Sequence, residues 1–495
     1  MVERTAPTLP LRVFVVWHPG FPRGQGLAEA LYRHLCHDPD QPASRALRVP
    51  VRFRSQASAG LPPGPAVPAA GLPAGVELDG ARTVVVVLVD DAMVADPAWG
   101  AYVAGIQTQC LAAGTPSGGY PQHRLVPVSL CANAFKLNPE IADVNFLRLH
   151  TLPEAQQTQA LLNGVTHELA RLLLNRPQVG DEQQMRAAGP APVRVFLSHA
   201  KHGGLDLTDS VRDYIARRTQ LETFFDVHDI PTGSGWRKVL REAAAGEGVN
   251  ALLVLQTDAY SSREWCRIEA MQAKLGWVPM VVVQAIEHAE LRGFPYLGNV
   301  PTVRWPAAGL SEYLTELVSR LATLRSIDDA EASRLGGTVV DAIESEISES
   351  IKELKQLRRS IAERVATFGG RVQSVDPLRC QQFQQLMGPA PESSDAWGQV
   401  IGTLLYEVLR AAYFPLWVEY AAALHNVRQP LRALSYPPEL LTLLAMQRHV
   451  KEQPGTVFVY PEPPLGTEEV EMLCEAAPDL RFVTPIRLPL LKHEE

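Results

Sequence analysis

One carboxylate stands where chemistry could be done. Glu269 closes the run Tyr260 to Glu269 (YSSREWCRIE), which an uncharged apolar stretch, Ala251 to Leu255, precedes by four residues. An apolar run of that length reads as a buried strand, and Arg263 to Lys274 reads as the helix that follows it. A side chain one turn into such a helix lies at the carboxyl end of a parallel sheet, the edge where α/β folds bind ligands. At about 100° per residue Glu269 lies about 40° from Trp265, at the flank of the face that Trp265 shares with Ile268, Gln272 and Leu275. From there a carboxylate can look across the sheet edge, where it could stabilise a cation or accept a proton. The plain alternative is a solvated helix residue, since Glu favours helices. Trp265 is either core or the wall of a pocket, and Cys266 reads as packing.

The elements around this run alternate. Strands are expected at Val193–Ser198, Leu221–Asp226, Ala251–Leu255, Pro279–Gln284 and Val300–Trp305, with helices at Leu207–Arg218, about 235–245, Arg263–Lys274 and Leu310–Leu324. Strand–helix alternation implies right-handed βαβ units and a doubly wound, flavodoxin-like parallel sheet.

Three motifs in this order resemble the TIR (Toll/interleukin-1 receptor) domain. Val193 to His199 (VRVFLSH) resembles its first strand, Phe224 to Trp236 (FFDVHDIPTGSGW) its second strand and BB loop, and Ser262 to Glu269 (SREWCRIE) its third motif. The resemblance covers Val193 to Arg325. It implies that Glu269 is the catalytic glutamate of a domain that cleaves NAD+. Ser198, His199 and Lys201, just after strand one, would contact the nucleotide, with Trp236 and Trp265 beside it. Asp229, Gly233 and Gly235 belong to the loop that gates the site and meets a neighbouring TIR domain, so assembly into homo-oligomers is expected. Asp226 reads as a turn or capping carboxylate. NAD+ enters as substrate, and no separate cofactor is called for. His199 and His202 lack the further ligands of a zinc site, so no metal is expected.

The chemistry fits a lone carboxylate. Nicotinamide leaves NAD+ as a neutral molecule and needs no proton, whereas ordinary glycosidases need a second carboxyl to protonate the leaving oxygen. What remains is an oxocarbenium-like ribose that one negative charge can stabilise. The competing reading is a scaffold whose TIR domains bind only other TIR domains.

Upstream, Leu11–Trp17, Leu47–Phe53, Thr83–Val89, Leu125–Ser129 and Val144–Leu149 are expected strands, with helices at Gly26–Cys36, Trp99–Cys110 and Pro153–Asn175. The order parallels that of the second domain, which suggests a tandem duplication with a degenerate first copy. Trp265 is followed four residues on by Glu269, while Trp99 is followed four residues on by Val103, which can do no such chemistry. Gly20 to Gly26 (GFPRGQG) lacks the Lys-Ser/Thr ending of a phosphate loop and reads as a turn before a helix.

The organisation expected is thus a degenerate TIR-like domain at 11–176, a linker at 177–192 rich in Gly, Gln and Pro, a TIR domain at 193–325, and a mainly helical domain at 337–495. That last region offers an amphipathic helix at Val339–Val365, a long helix at Gln399–His425 and a small βαβ-like ending with strands at Thr456–Tyr460 and Leu480–Thr484 around a helix at Thr467–Cys474. It is read, by elimination, as a sensing or oligomerisation module, which leaves an activating ligand or protein to be identified.

Bulk properties narrow the class. A chain of 495 residues with 46% apolar and 20% charged residues suits several packed domains. A net charge of −8 argues against non-specific nucleic-acid binding. Six scattered cysteines without a CxxC pair suit a reducing compartment. The first ten residues lack an apolar signal segment, and Val400–Leu424 is interrupted by charges and Pro415, so no membrane span is expected. A cytoplasmic location is the expectation, and the Ala/Pro/Arg-rich composition suggests a bacterial setting, where the TIR resemblance implies depletion of NAD+ in antiphage defence.

Overall fold

A computed structural model describes residues 7–36, 47–55, 72–113, 122–174, 192–201, 204–224, 248–286, 294–297, 300–305, 396–434, 440–459 and 481–483. Two compact units divide the chain, 1–303 with 395–495, and 304–394. The helices expected at 235–245, 310–324, 339–365 and 467–474, and all but the last residue of the linker at 177–192, lie outside the described residues.

The first sheet is built from β1 (Arg12–Trp17), β2 (Val51–Arg54), β3 (Thr83–Val89), β4 (His123–Ser129) and β5 (Leu147–Arg148). Between them run α1 (Gly24–Leu35), α2 (Asp91–Ala95), α3 (Pro97–Ala112) and, after β5, α4 (Glu154–Leu174). β3 is buried along its whole length, as its unbroken Thr-Val-Val-Val-Val-Leu-Val run requires of a central parallel strand. β5 is only two residues long, shorter than the apolar run that suggested it, because 139–145 is spent on a 3₁₀ turn and bends. α3 begins two residues before Trp99, where Asp96 caps it by accepting from the Ala98 N–H and Pro97 supplies the first turn.

The second sheet comprises β6 (Arg194–His199), β7 (Glu222–Phe224), β8 (Ala251–Gln256), β9 (Met280–Gln284) and β10 (Thr302–Arg304), with α5 (Leu205–Arg218) and α6 (Glu264–Leu275) among its described helices. The spatial order in the first sheet is β2-β1-β3-β4-β5 and in the second β7-β6-β8-β9-β10. Numbered within each sheet, both read 2-1-3-4-5, and neighbouring strands such as β1 and β3 or β6 and β8 run parallel, an order compatible with a flavodoxin-like fold. Val13 faces Val84 in one sheet, and Val195 faces Ala251 in the other. β1 and β6 even begin alike, Arg-Val-Phe in each.

Beyond these come α7 (Ala396–Leu424), β11 (Leu431–Ala433), α8 (Leu440–Glu452), β12 (Val457–Val459) and β13 (Arg481–Val483). β11-β12-β13 form a small parallel sheet. α8 and β11 had no counterpart in the sequence reading; for β11, three residues of strand leave no period to detect. α7 packs on α4 and also against β8 and β9. Asn163 donates to the carbonyl of Gly398 at 2.9 Å, and the Trp397 indole N–H donates to Ser210 Oγ at 2.8 Å. Among the described residues no helix is long and apolar enough to cross a membrane.

Two buried imidazoles carry a pH signature. His34 on α1 lies 2.9 Å from Thr166 Oγ on α4, and that hydroxyl donates to the Leu162 carbonyl at 2.6 Å, so His34 Nε2 is the donor. Burial lowers the pKa of His34 to about 4, and it lowers that of His167 to about 4 as well, against a partial offset from Glu168. Both folded values lie below the unfolded one, so the unfolded chain takes up these protons first as pH falls. The stabilisation is therefore present above about pH 6.5 and is lost towards pH 4, on the order of 3 kcal/mol for each ring. Thermal melts between pH 7 and pH 4 should show a falling midpoint, and a His34→Gln, His167→Gln double variant should flatten that fall. A wild-type midpoint that stays level across this range would contradict the buried neutral rings.

Candidate functional site

The site grows from three elements. β6 ends in Ser198 and His199, β8 leads into a 3₁₀ turn at Tyr260–Ser262, and α6 carries Trp265, Cys266 and Glu269. Parallel pairing sets Ser198 beside Val254 and His199 beside Leu255, so the carboxyl ends of both strands open at one rim. The turn at Tyr260 reverses the chain so that α6 begins over that rim, its first N–H groups and Glu264 in the first turn.

Glu269 is not a solvated helix residue. It is 8% exposed, and Ser198 Oγ donates to its Oε2 at 2.6 Å. Because the serine proton is spent on the carboxylate, the Tyr260 hydroxyl, 2.7 Å away, donates to Ser198 Oγ. The carbonyl of Cys266 lies 3.2 Å from the same phenol as a longer acceptor. A directed chain results, Tyr260 to Ser198 to Glu269, with both protons pointing at the negative charge. Burial raises the pKa of Tyr260 well above its ordinary value, helped by Cys266 and Glu269 and opposed by the Ser198 bond, so the phenol remains a donor at neutral pH. Short bonds to a carboxylate are the strong class of hydrogen bond.

His199 joins this arrangement through its backbone, its carbonyl accepting the Cys266 thiol at 3.3 Å, which makes Cys266 a tie between α6 and β6 as well as core. Trp265 is half-buried in the first turn of α6, and Lys201 is exposed two residues past β6. Ser198 and Glu269 are thus brought into direct contact. Asp226, Asp229, Gly233, Gly235 and Trp236, and His202, lie outside the described residues. Among the described residues no three His, Cys, Asp or Glu side chains gather where they could hold a metal ion.

Tyr260 was legible only as the first letter of the motif. Its role depends on a contact across 62 residues with Ser198. The available signal was a tyrosine placed in a turn between a wholly apolar strand and a helix, where a buried phenol must find a polar partner.

In the first sheet the positions matched to Ser198 and Glu269 are apolar. Aligned on the Arg-Val-Phe with which β1 and β6 both begin, Val16 occupies the place that Ser198 holds. Counted from Trp99 the partner of Glu269 is Val103, and counted from the start of α3 it is Tyr102, whose hydroxyl donates to the Ala74 carbonyl at 2.9 Å. Val16, Tyr102 and Val103 all belong to one core cluster. Neither count yields a carboxylate.

Ser198→Ala tests the network directly. It removes the donor to Glu269 and the acceptor of Tyr260 at once, leaving two buried polar groups short of a partner, at about 1–3 kcal/mol. Urea unfolding should show that loss, and an unchanged midpoint with unchanged slope would contradict the network.

The chain matches no protein family and no curated protein. Among solved structures it is similar to the TIR domains of the activated Roq1 resistosome directly recognizing the pathogen effector XopQ, at 14% identity over 39% of this chain and 99% of that one, with a TM-score of 0.17. A likeness at that level carries no argument about fold or activity.

Proposed function

We propose that residues 193–325 form a TIR domain that cleaves NAD+ to nicotinamide and ADP-ribose, or a cyclic isomer of it, with Glu269 as the catalytic carboxylate. The observation that supports this reading is the buried Glu269 carboxylate at the strand ends, held by Ser198 at 2.6 Å. In the reaction the bond between the ribose anomeric carbon and the pyridinium nitrogen breaks, and its electron pair returns to nicotinamide. The anomeric carbon becomes oxocarbenium-like, and Glu269 stabilises it at close range in a site of low dielectric. Water then adds and loses a proton, or a nucleophile of the same nucleotide closes a ring. Ser198 and Tyr260 hold the charge in place, so no reorganisation is required when the cation develops.

In this proposal the domain at 11–176 is a degenerate partner, 177–192 a linker and 337–495 a sensing or oligomerising region. The protein works in the cytoplasm as a homo-oligomer built through its TIR domains, activated by a ligand or protein still to be found, in defence by NAD+ depletion. A second reading, a non-catalytic TIR scaffold, draws support from Val16 and Val103, since the first sheet has apolar core residues at the positions matched to Ser198 and Glu269. Nicotinamide release by the purified chain, compared with Glu269→Gln, separates the two.

A further inference from the structure

The helix that carries Glu269 ends on a strained residue. The Val278 N–H bonds the Ala273 carbonyl at 2.9 Å and the Trp277 N–H bonds the Lys274 carbonyl at 3.2 Å, the two bonds that close a helix through one left-handed residue. That residue is Trp277, at φ 62°. Glycine is usual in this place because a Cβ is disfavoured there, and Gly276 stands one position too early. A tryptophan in this conformation persists only where its surroundings fix it.

What fixes it is the small C-terminal sheet. The indole packs on a buried cluster of Leu434, Leu443, Met446 and Phe458, contributed by the residue after β11, by α8 and by β12. The Arg432 guanidinium of β11 lies 5.6 Å from the ring centre. Trp277 is in this way a joint. Its backbone ends α6, and its ring packs into a second, smaller core. An aromatic ring brings more apolar area to such a contact than most side chains, which offsets the backbone strain.

α6 is therefore held at both ends. At its start the Cys266 thiol donates to the His199 carbonyl at 3.3 Å, and Arg267 Nη1 donates to the Ser261 carbonyl at 2.8 Å. At its close it is held by Trp277. Glu269 lies between, and its bond to Ser198 requires one rotation of the helix about its axis. A carboxylate roughly 6 Å from a helix axis moves about 1 Å for each 10° of rotation. A misplacement of about 1 Å costs on the order of 10²-fold in rate. We infer that Trp277 is a positioning residue for Glu269. By seating α6 on β11, α8 and β12 it sets the rotation of the helix, and with it the place of the carboxylate. The effect on rate rests on the catalytic reading of Glu269, and it gives the C-terminal region a physical route to the rim of the second sheet.

Trp277→Gly in the full chain tests this, since glycine relaxes the backbone while removing the ring. Amide hydrogen exchange should quicken at least about tenfold in α8 and in residues 268–275 of α6, with α3 of the first sheet unchanged. Nicotinamide release should fall at least about tenfold in kcat with KM for NAD+ held within about threefold, because alignment in the transition state is lost and ground-state binding is kept. Trp277→Phe should restore most of both. If Trp277→Gly does not fold, Met446→Ala, which hollows the seat of the indole, is read in the same way. Faster exchange confined to α8, with α6 and kcat unchanged, would make Trp277 a packing residue only and overturn the assignment. An equal loss of protection in α3 would overturn it too, since that reports general destabilisation. A wild type that releases no nicotinamide would remove the catalytic reading of Glu269 instead, and exchange in α6 would still decide whether Trp277 fixes the helix.

Discussion

Glu269→Gln is expected to lower the rate of nicotinamide release at least about 10²–10³-fold, the loss seen when one preorganised electrostatic contact to a developing charge is removed. The substitution isolates charge from shape. Glutamine keeps the length of the side chain and an oxygen that Ser198 can still donate to, so the network of Ser198 and Tyr260 survives. Stability should hold, because a buried carboxylate is exchanged for a neutral amide that costs less to desolvate. Turnover is measured by following nicotinamide release from NAD+ under crowded conditions, with thermal melts as the control for folding. A glutamine variant as active as wild type, or a wild type as inert as the variant, sinks the enzyme reading and leaves the scaffold.

The largest effect on stability is expected at the other end of the chain. Glu407 and Arg410, one turn apart on α7, form an ion pair at 2.5 Å with both side chains 3% exposed. Arg410→Leu would leave the Glu407 carboxylate buried without its partner guanidinium, and breaking a buried pair from one side costs about 3–5 kcal/mol. That is a large share of the roughly 5–15 kcal/mol that holds a folded domain together. Replacing both residues by leucine should recover most of the loss, since two well-packed apolar side chains substitute for a buried pair at little cost. Denaturant midpoints of the two variants check this, and an Arg410→Leu midpoint within error of wild type would refute it. The consequence reaches beyond α7, because this helix lies against α4 of the first sheet's layer and against β8 and β9 of the second. Loosening it should therefore lower the cooperativity with which both sheets unfold.

Much of the molecule could be read from patterns of neighbouring residues. The uncharged runs at Val13–Val16, Val84–Val89, Ala251–Leu255 and Met280–Val283 are buried strands in the structure, because a strand covered by helices on both faces has no polar side to display. The alternation of these runs with helices carries the parallel order, and both sheets share it. Glu269 was legible as a rim residue for the same reason, since its place follows from the end of β8 and the start of α6. Boundaries moved where local chemistry intervened. Asp96 and Pro97 start α3 two residues early, and bends between 141 and 146 shorten β5.

What the sequence by itself determined is the strands of the two larger sheets, their alternation with helices and the presence of one carboxylate at a strand end. All of these rest on contacts between residues a few positions apart. Only the tertiary structure decided that Glu269 is buried, because its partner Ser198 lies 71 residues away and Tyr260 must close the chain between them. It decided too that the end of α6, α7 and α8 enclose a cavity, and that a tryptophan rather than the adjacent glycine takes the left-handed turn. Burial and cavities depend on which surfaces meet, and no periodicity along one stretch of chain encodes the partner it will find.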